Sequence, residues 1–143
     1  MLKEKPPASA WDVKLARGGL IDVEFVAQVL QLIHAADHPG ILRRNTGAAL
    51  AALTEAGLLS AREGEELGTA WRVYQHLMHI LRLCVREGFD GSEAPEGLKR
   101  LLANATQTAD LRGAAARLAE LQAEVAAAFT RHVGPLPEEG ATD

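Results

Sequence analysis

Cysteine is almost absent: Cys84 is the only one in 143 residues. A lone thiol closes no internal disulfide, which fits a reducing cytoplasm. Aromatic residues are scarce, at 4%, and runs of Val, Ile and Thr are few. Both absences argue against a β-sandwich or barrel, whose strands draw on those residues. No apolar stretch approaches the roughly 20 residues of a membrane span, so no membrane partner is expected. Positive charge is not in excess either, since the formal net charge is −4. Nucleic-acid binders carry a basic stripe that displaces counterions from phosphates. No nucleic-acid partner is therefore expected, and Arg43–Arg44 reads as a solvated loop pair or a docking contact. The amino-terminal residues are charged and Pro-containing and lack the apolar stretch of a signal peptide.

What remains is Ala and Leu. The chain is 48% hydrophobic with few aromatics, and its length suits one domain. These features predict an all-α fold, an antiparallel helical bundle of about five helices. Residues 1–10 read as a disordered or linker tail, residues 11–134 as the helical domain, and the acidic residues 135–143 as a disordered end. Trp11 to Leu15 reads as one short extended piece, and Gly18–Gly19 as a sharp backbone break. A first helix is predicted over about Leu20 to Ala36. Asn45 or Thr46 can cap a second, ending near Ala56 with Gly57 beyond it. Ser60 to Glu63 fits a capping box opening a long third helix to about Glu87. Phe89 to Pro95 reads as a loop, and a short fourth helix follows from Glu96 to Ala103. Asp110 can cap a fifth, from Leu111 to about His132, with Leu118, Leu121, Val125 and Phe129 as its buried stripe.

The first helix is unusual. Ile21, Val23, Phe25, Val26, Val29, Leu30, Leu32 and Ile33 cover most of its circumference. A helix apolar nearly all round belongs inside a protein. Glu24, Gln28 and Gln31 form a narrow polar strip on it, with His34 near the edge, and a buried polar strip needs partners. The strip either is satisfied by local backbone or forms a wall whose opposite wall lies on another domain. Asp22 and Glu24 in the first turn are also favoured by the helix dipole, so part of this pattern is ordinary helix-start chemistry.

The segment from Asp12 through Lys14, Arg17, Gly18, Gly19, Asp22, Glu24 and Phe25 to Gln28 reads DVKLARGGLIDVEFVAQ. It resembles the D-x-K-x-x-x-GG-[LI]-x-D-[IV]-EF-[ILV]-x-Q signature of glutamine synthetase adenylyltransferases. Those enzymes carry two tandem copies of a nucleotidyltransferase domain, each followed by a helical domain that the signature opens. GG-L-I-D-V-E-F resembles the second copy, the one assigned to adenylyl transfer. The related uridylyltransferases of the PII pathway read GG-L-R-D without the EF-x-x-Q continuation and match less well. The resemblance implies a parent enzyme that transfers AMP from ATP to a tyrosine of glutamine synthetase. Its partners would be an upstream nucleotidyltransferase domain of the same chain, glutamine synthetase and the PII signalling protein, in the cytoplasm. It also implies that Mg²⁺ and ATP bind mainly outside this stretch. Gly18–Gly19 would be a close-approach hinge at the domain interface. Lys14 or Arg17 would neutralise phosphate charge, Asp22 and Glu24 would orient a basic side chain of the catalytic domain, and Gln28 would donate a hydrogen bond. The alternatives are a non-catalytic module docking PII or the synthetase, or the equivalent domain of a PII uridylyltransferase.

Two-metal phosphoryl transfer needs clustered carboxylates. No D-x-D occurs in the chain. Asp22 and Glu24 alternate, but on a helix they point about 200° apart and cannot grip one ion. No catalytic or metal-binding residue is therefore expected here, and the chain alone is expected to be inactive. His76 and His79 lack a third ligand at motif spacing, His34 and His38 read as helix-end partners, and Cys84 as a small core hydrophobe.

Overall fold

The computed structural model describes residues 11–84 and 96–134. Five α-helices follow in order: α1 (Leu20–His34), α2 (Thr46–Glu55), α3 (Ala61–Cys84), α4 (Glu96–Thr106) and α5 (Leu111–His132). One 3-10 turn, Pro39–Ile41, lies between α1 and α2. Among the described residues there is no strand, so the all-α expectation holds. The expectations for residues 1–10, the Phe89–Pro95 loop and residues 135–143 lie outside the described residues.

Local chemistry sets most of the boundaries. The Asn45 side chain accepts from the Ala48 N–H, and the Asp110 side chain accepts from the Gly113 N–H. Each such cap contributes about 1 kcal/mol. Gly57 follows α2 at φ +82°, the left-handed turn that glycine takes without strain. The α4 helix runs one turn past the expected Ala103. Leu102, Ala103, Ala105 and Thr106 are all buried, and the Thr106 hydroxyl donates back to the Leu102 carbonyl at 3.0 Å. Gln107 then takes φ 60°, so this helix stops in a left-handed residue that is not glycine.

The α3 helix packs against each of the other four helices. Leu67, Tyr74 and Leu77 on it are fully enclosed, together with Val23 and Val26 of α1, Leu50 and Leu53 of α2, Leu102 of α4, and Leu118, Leu121 and Val125 of α5. The expected α5 stripe is thus the one observed.

The Ser60 hydroxyl accepts from the Glu63 N–H at 3.0 Å, which is half of a capping box. The Glu63 carboxylate does not complete it. It turns instead to the end of α5, where Arg131 Nε lies 2.6 Å away and His132 Nε2 3.1 Å away. Burial by itself raises the Glu63 carboxyl, but hydrogen bonds from Arg131 and His132, reinforced by their charges, hold it below its ordinary value of 4.5. A carboxyl depressed in the folded state stabilises above its unfolded pKa, and that contribution fades as pH falls through the folded value. Half of the Arg131 side chain faces solvent, which limits the pair to about 1 kcal/mol. Glu63→Gln is expected to lose that amount at neutral pH and nothing in strong acid. Urea melts between about pH 3 and pH 7 check this, since parallel stability curves for the two proteins would exclude the linkage.

Candidate functional site

The segment before α1 is a compact turn, not the extended piece expected from its sequence. The Asp12 carbonyl accepts from the Leu15 and Ala16 N–H groups, and the Val13 and Lys14 carbonyls accept from Leu20 and Ile21. Helix α1 has no side-chain cap on its first turn. The preceding backbone takes that place, satisfying donors that would otherwise be orphaned. Buried Trp11 and Val13 anchor the segment, while Lys14 and Arg17 stay exposed.

The glycine pair holds this turn against the bundle. Gly18 has φ +76°, and a Cβ on it would lie 2.0 Å from the Gln122 carbonyl oxygen of α5. A Cβ on Gly19 would lie 2.3 Å from the Val13 carbonyl oxygen. The close approach is therefore to α5 of the same domain. Both glycines are buried within the domain. Gly18 is held through both of its flanking peptides. Its N–H donates to Asp22 Oδ2 at 2.7 Å, and its carbonyl accepts from the Tyr74 hydroxyl at 2.7 Å. Burial, reinforced by the charges of Glu124 and Asp22, pushes the Tyr74 phenol well above its ordinary value. It stays protonated and remains a donor throughout the working pH range.

The polar strip of α1 divides. Gln31 is buried and internally satisfied, with Nε2 donating to the Ala27 carbonyl at 3.1 Å and Oε1 accepting from the Arg43 N–H at 2.8 Å. It follows the first of the two readings of the strip, satisfaction by backbone, and is no part of an outer wall. Asp22 turns back to Gly18, whereas Glu24 is half-buried and Gln28 exposed. The side chains of Lys14, Arg17, Glu24 and Gln28 form no hydrogen bond or ion pair with a described residue.

Nor is α1 enclosed all round, as its composition suggested. Val23, Val26, Ala27 and Leu30 face the core, while Ile21, Phe25 and Leu32 are 40%, 44% and 79% exposed. Ile21, Phe25, Gln28 and Leu32 are spaced by four, three and four residues, which places them on one outward stripe. The inner edge of Phe25 stacks on Phe129 with ring centroids 5.9 Å apart. Leu15, 61% exposed, adds an apolar side chain from the turn. Glu24 and Gln28 thus sit within an exposed apolar field, beside a turn that carries Lys14 and Arg17, neither paired with a described residue.

Chemically this arrangement can position and dock. His76 and His79 are exposed on α3. Among the described residues no group of three or more His, Cys, Asp or Glu side chains gathers to hold a metal. No helix there is long and apolar enough to cross a membrane. Sequence reasoning missed the Tyr74 hydroxyl. The available signal was that a buried tyrosine O–H needs an acceptor.

The model of the family described as GlnD PII-uridylyltransferase matches residues 3–133. Relatives bearing the name bifunctional glutamine synthetase adenylyltransferase/adenylyl-removing enzyme align along nearly the whole chain. One from Rhodopseudomonas palustris is 43% identical over 92% of this chain and 13% of its own length. One from Caulobacter vibrioides is 44% identical over 90% of this chain, again 13% of the relative. One from Bradyrhizobium sp. is 43% identical over 89% and 13%. The chain therefore spans 13% of the length of the curated relatives it matches. Across residues 3–133 the match is to one family model, and the chain belongs to the GlnD PII-uridylyltransferase family.

Proposed function

We propose that this chain is the helical domain, residues 11–134, of the adenylyl-transfer half of a glutamine synthetase adenylyltransferase. The parent reaction moves AMP from ATP to a tyrosine hydroxyl of glutamine synthetase and so regulates nitrogen assimilation. The name shared by the aligned relatives supports this, as does the Asp12–Gln28 signature. The observation that carries the role of the domain is the uncovered stripe on α1, where Ile21, Phe25 and Leu32 flank Gln28. Exposed apolar residues at helical spacing beside unpaired polar groups mark a surface that another body covers. That body is the upstream nucleotidyltransferase domain of the same chain.

Two cations, Lys14 and Arg17, then stand at the junction, where they neutralise charge on the triphosphate. Glu24 orients a basic side chain across the junction, and Gln28 donates a hydrogen bond. Asp22 acts at one remove, by holding Gly18. The donor set described above does not fit Mg²⁺, so the metal and most of the ATP contacts belong to the upstream domain. Glutamine synthetase and PII are the protein partners, and the cytoplasm is the compartment.

Glu24→Ala in the full-length enzyme is expected to cut adenylyl transfer about ten-fold or more while leaving the melting temperature nearly unchanged, because the Glu24 side chain forms no hydrogen bond or ion pair with a described residue. Transfer at the wild-type rate would remove the proposal. The family match to PII-uridylyltransferase favours a second reading, uridylylation of PII. Supplying labelled UTP with PII, and labelled ATP with glutamine synthetase, separates the two.

A further inference from the structure

The Gly18 peptide is where four parts of the chain meet. The turn supplies the peptide, α1 supplies Asp22, α3 supplies Tyr74 and α5 supplies the Gln122 backbone against which Gly18 lies. Tyr74 is separated from Gly18 by 56 residues and is fully buried, so its hydroxyl is a long-range polar contact on Gly18. It is also the only tyrosine in the chain. Phenylalanine would fill the same space without the hydroxyl. Packing therefore accounts for the ring and leaves the O–H to be explained by the carbonyl it holds.

We propose that Tyr74 is a positioning residue of the domain junction. Its hydroxyl fixes the Gly18 carbonyl, Asp22 fixes the Gly18 N–H, and together they set the place of the Lys14–Arg17 turn and of the first turn of α1. Arg17 precedes Gly18 directly, so the backbone torsions of Gly18 set its place relative to α1. The proposal rests on the reading of this turn as part of the adenylyl-transfer site. It adds that α3, which contacts every other helix, communicates with that site through one hydrogen bond. The charged groups facing Tyr74 are Asp22 from α1 and Glu124 and Arg117 from α5.

The test uses the full-length adenylyltransferase with Tyr74→Phe, beside Leu102→Val as a comparably mild core change on α4. Hydrogen exchange of the peptide spanning residues 12–22 reads the turn directly. It is expected to quicken about three- to ten-fold in Tyr74→Phe, the range one lost hydrogen bond allows, and to stay unchanged in Leu102→Val. The transfer kcat is expected to fall by a similar factor in Tyr74→Phe alone, with KM for ATP unchanged. Unchanged exchange in Tyr74→Phe would show that the hydroxyl does not hold the turn. Faster exchange with wild-type kcat would show that the turn is held for stability only. Either result overturns the proposal. An equal fall in kcat for Leu102→Val would do so as well, by reducing the effect to general destabilisation. Failure of the underlying reading is seen separately, as Glu24→Ala with wild-type transfer.

Discussion

Gly18→Ala unfolds or severely destabilises this domain. At φ +76° an alanine pays the left-handed penalty of about 1–2 kcal/mol. Its Cβ also meets the Gln122 carbonyl oxygen at 2.0 Å, a backbone atom that no rotamer change can move aside. Relief requires the turn to lift away from α5. That lift breaks the Tyr74 hydrogen bond to the Gly18 carbonyl and leaves a buried phenol without an acceptor, at a cost of about 1–3 kcal/mol. The total reaches about 3 kcal/mol or more, a large share of the stability of a domain this size. Thermal and urea unfolding of the 143-residue chain check it. Gly57→Ala is the comparison. It shares a positive φ, +82°, but a Cβ there meets nothing within 4 Å, so only the conformational penalty applies. Equal losses at the two glycines would show that the approach to α5 is not what Gly18 is for.

The same turn shows which parts of the architecture are legible in the sequence. Caps and core stripes are local, and Asp110, Asn45 and the Leu118–Leu121–Val125 spacing announced their helices nearly to the residue. Gln107 did not, because a left-handed residue without glycine leaves no compositional mark, and the end of α4 fell one turn late. Trp11 to Leu15 looked extended, since nothing in five residues shows that their carbonyls will receive the free N–H groups of a helix that follows. Helix α1 was the harder case. Periodicity shows that both sides of it are apolar, but not that one side meets α3 and α5 while the other remains open. Gln31 and Gln28 are one turn apart and look equivalent in sequence. One is buried because the chain returns at Arg43 to meet its amide oxygen, and the other is not. The role of Tyr74 needed the fold, because its partner is 56 residues distant.

Ile21→Asp separates the outer face of α1 from its inner one. In the 143-residue chain this change is nearly neutral. Ile21 is 40% exposed and lies in the first turn of α1, where a carboxylate is favoured by the helix dipole. Repulsion from Asp22, itself bonded to Gly18, offsets part of that gain. In the full-length adenylyltransferase the outcome is different. If the stripe of Ile21, Phe25 and Leu32 is covered by the upstream domain, the new carboxylate is buried without a partner. Such a charge costs about 3–5 kcal/mol, so the two domains separate at the junction or the pocket opens. Adenylyl transfer then drops about 100-fold or more. Limited proteolysis between the domains quickens in parallel, while the melting temperature of the helical domain holds. Leu32→Asp, about 16 Å further along the same face, tells how far the cover extends: a matching loss means that the whole stripe is buried, and wild-type transfer means that contact ends within the first turns. Full activity in Ile21→Asp would mean that the open face of α1 has no neighbour during catalysis.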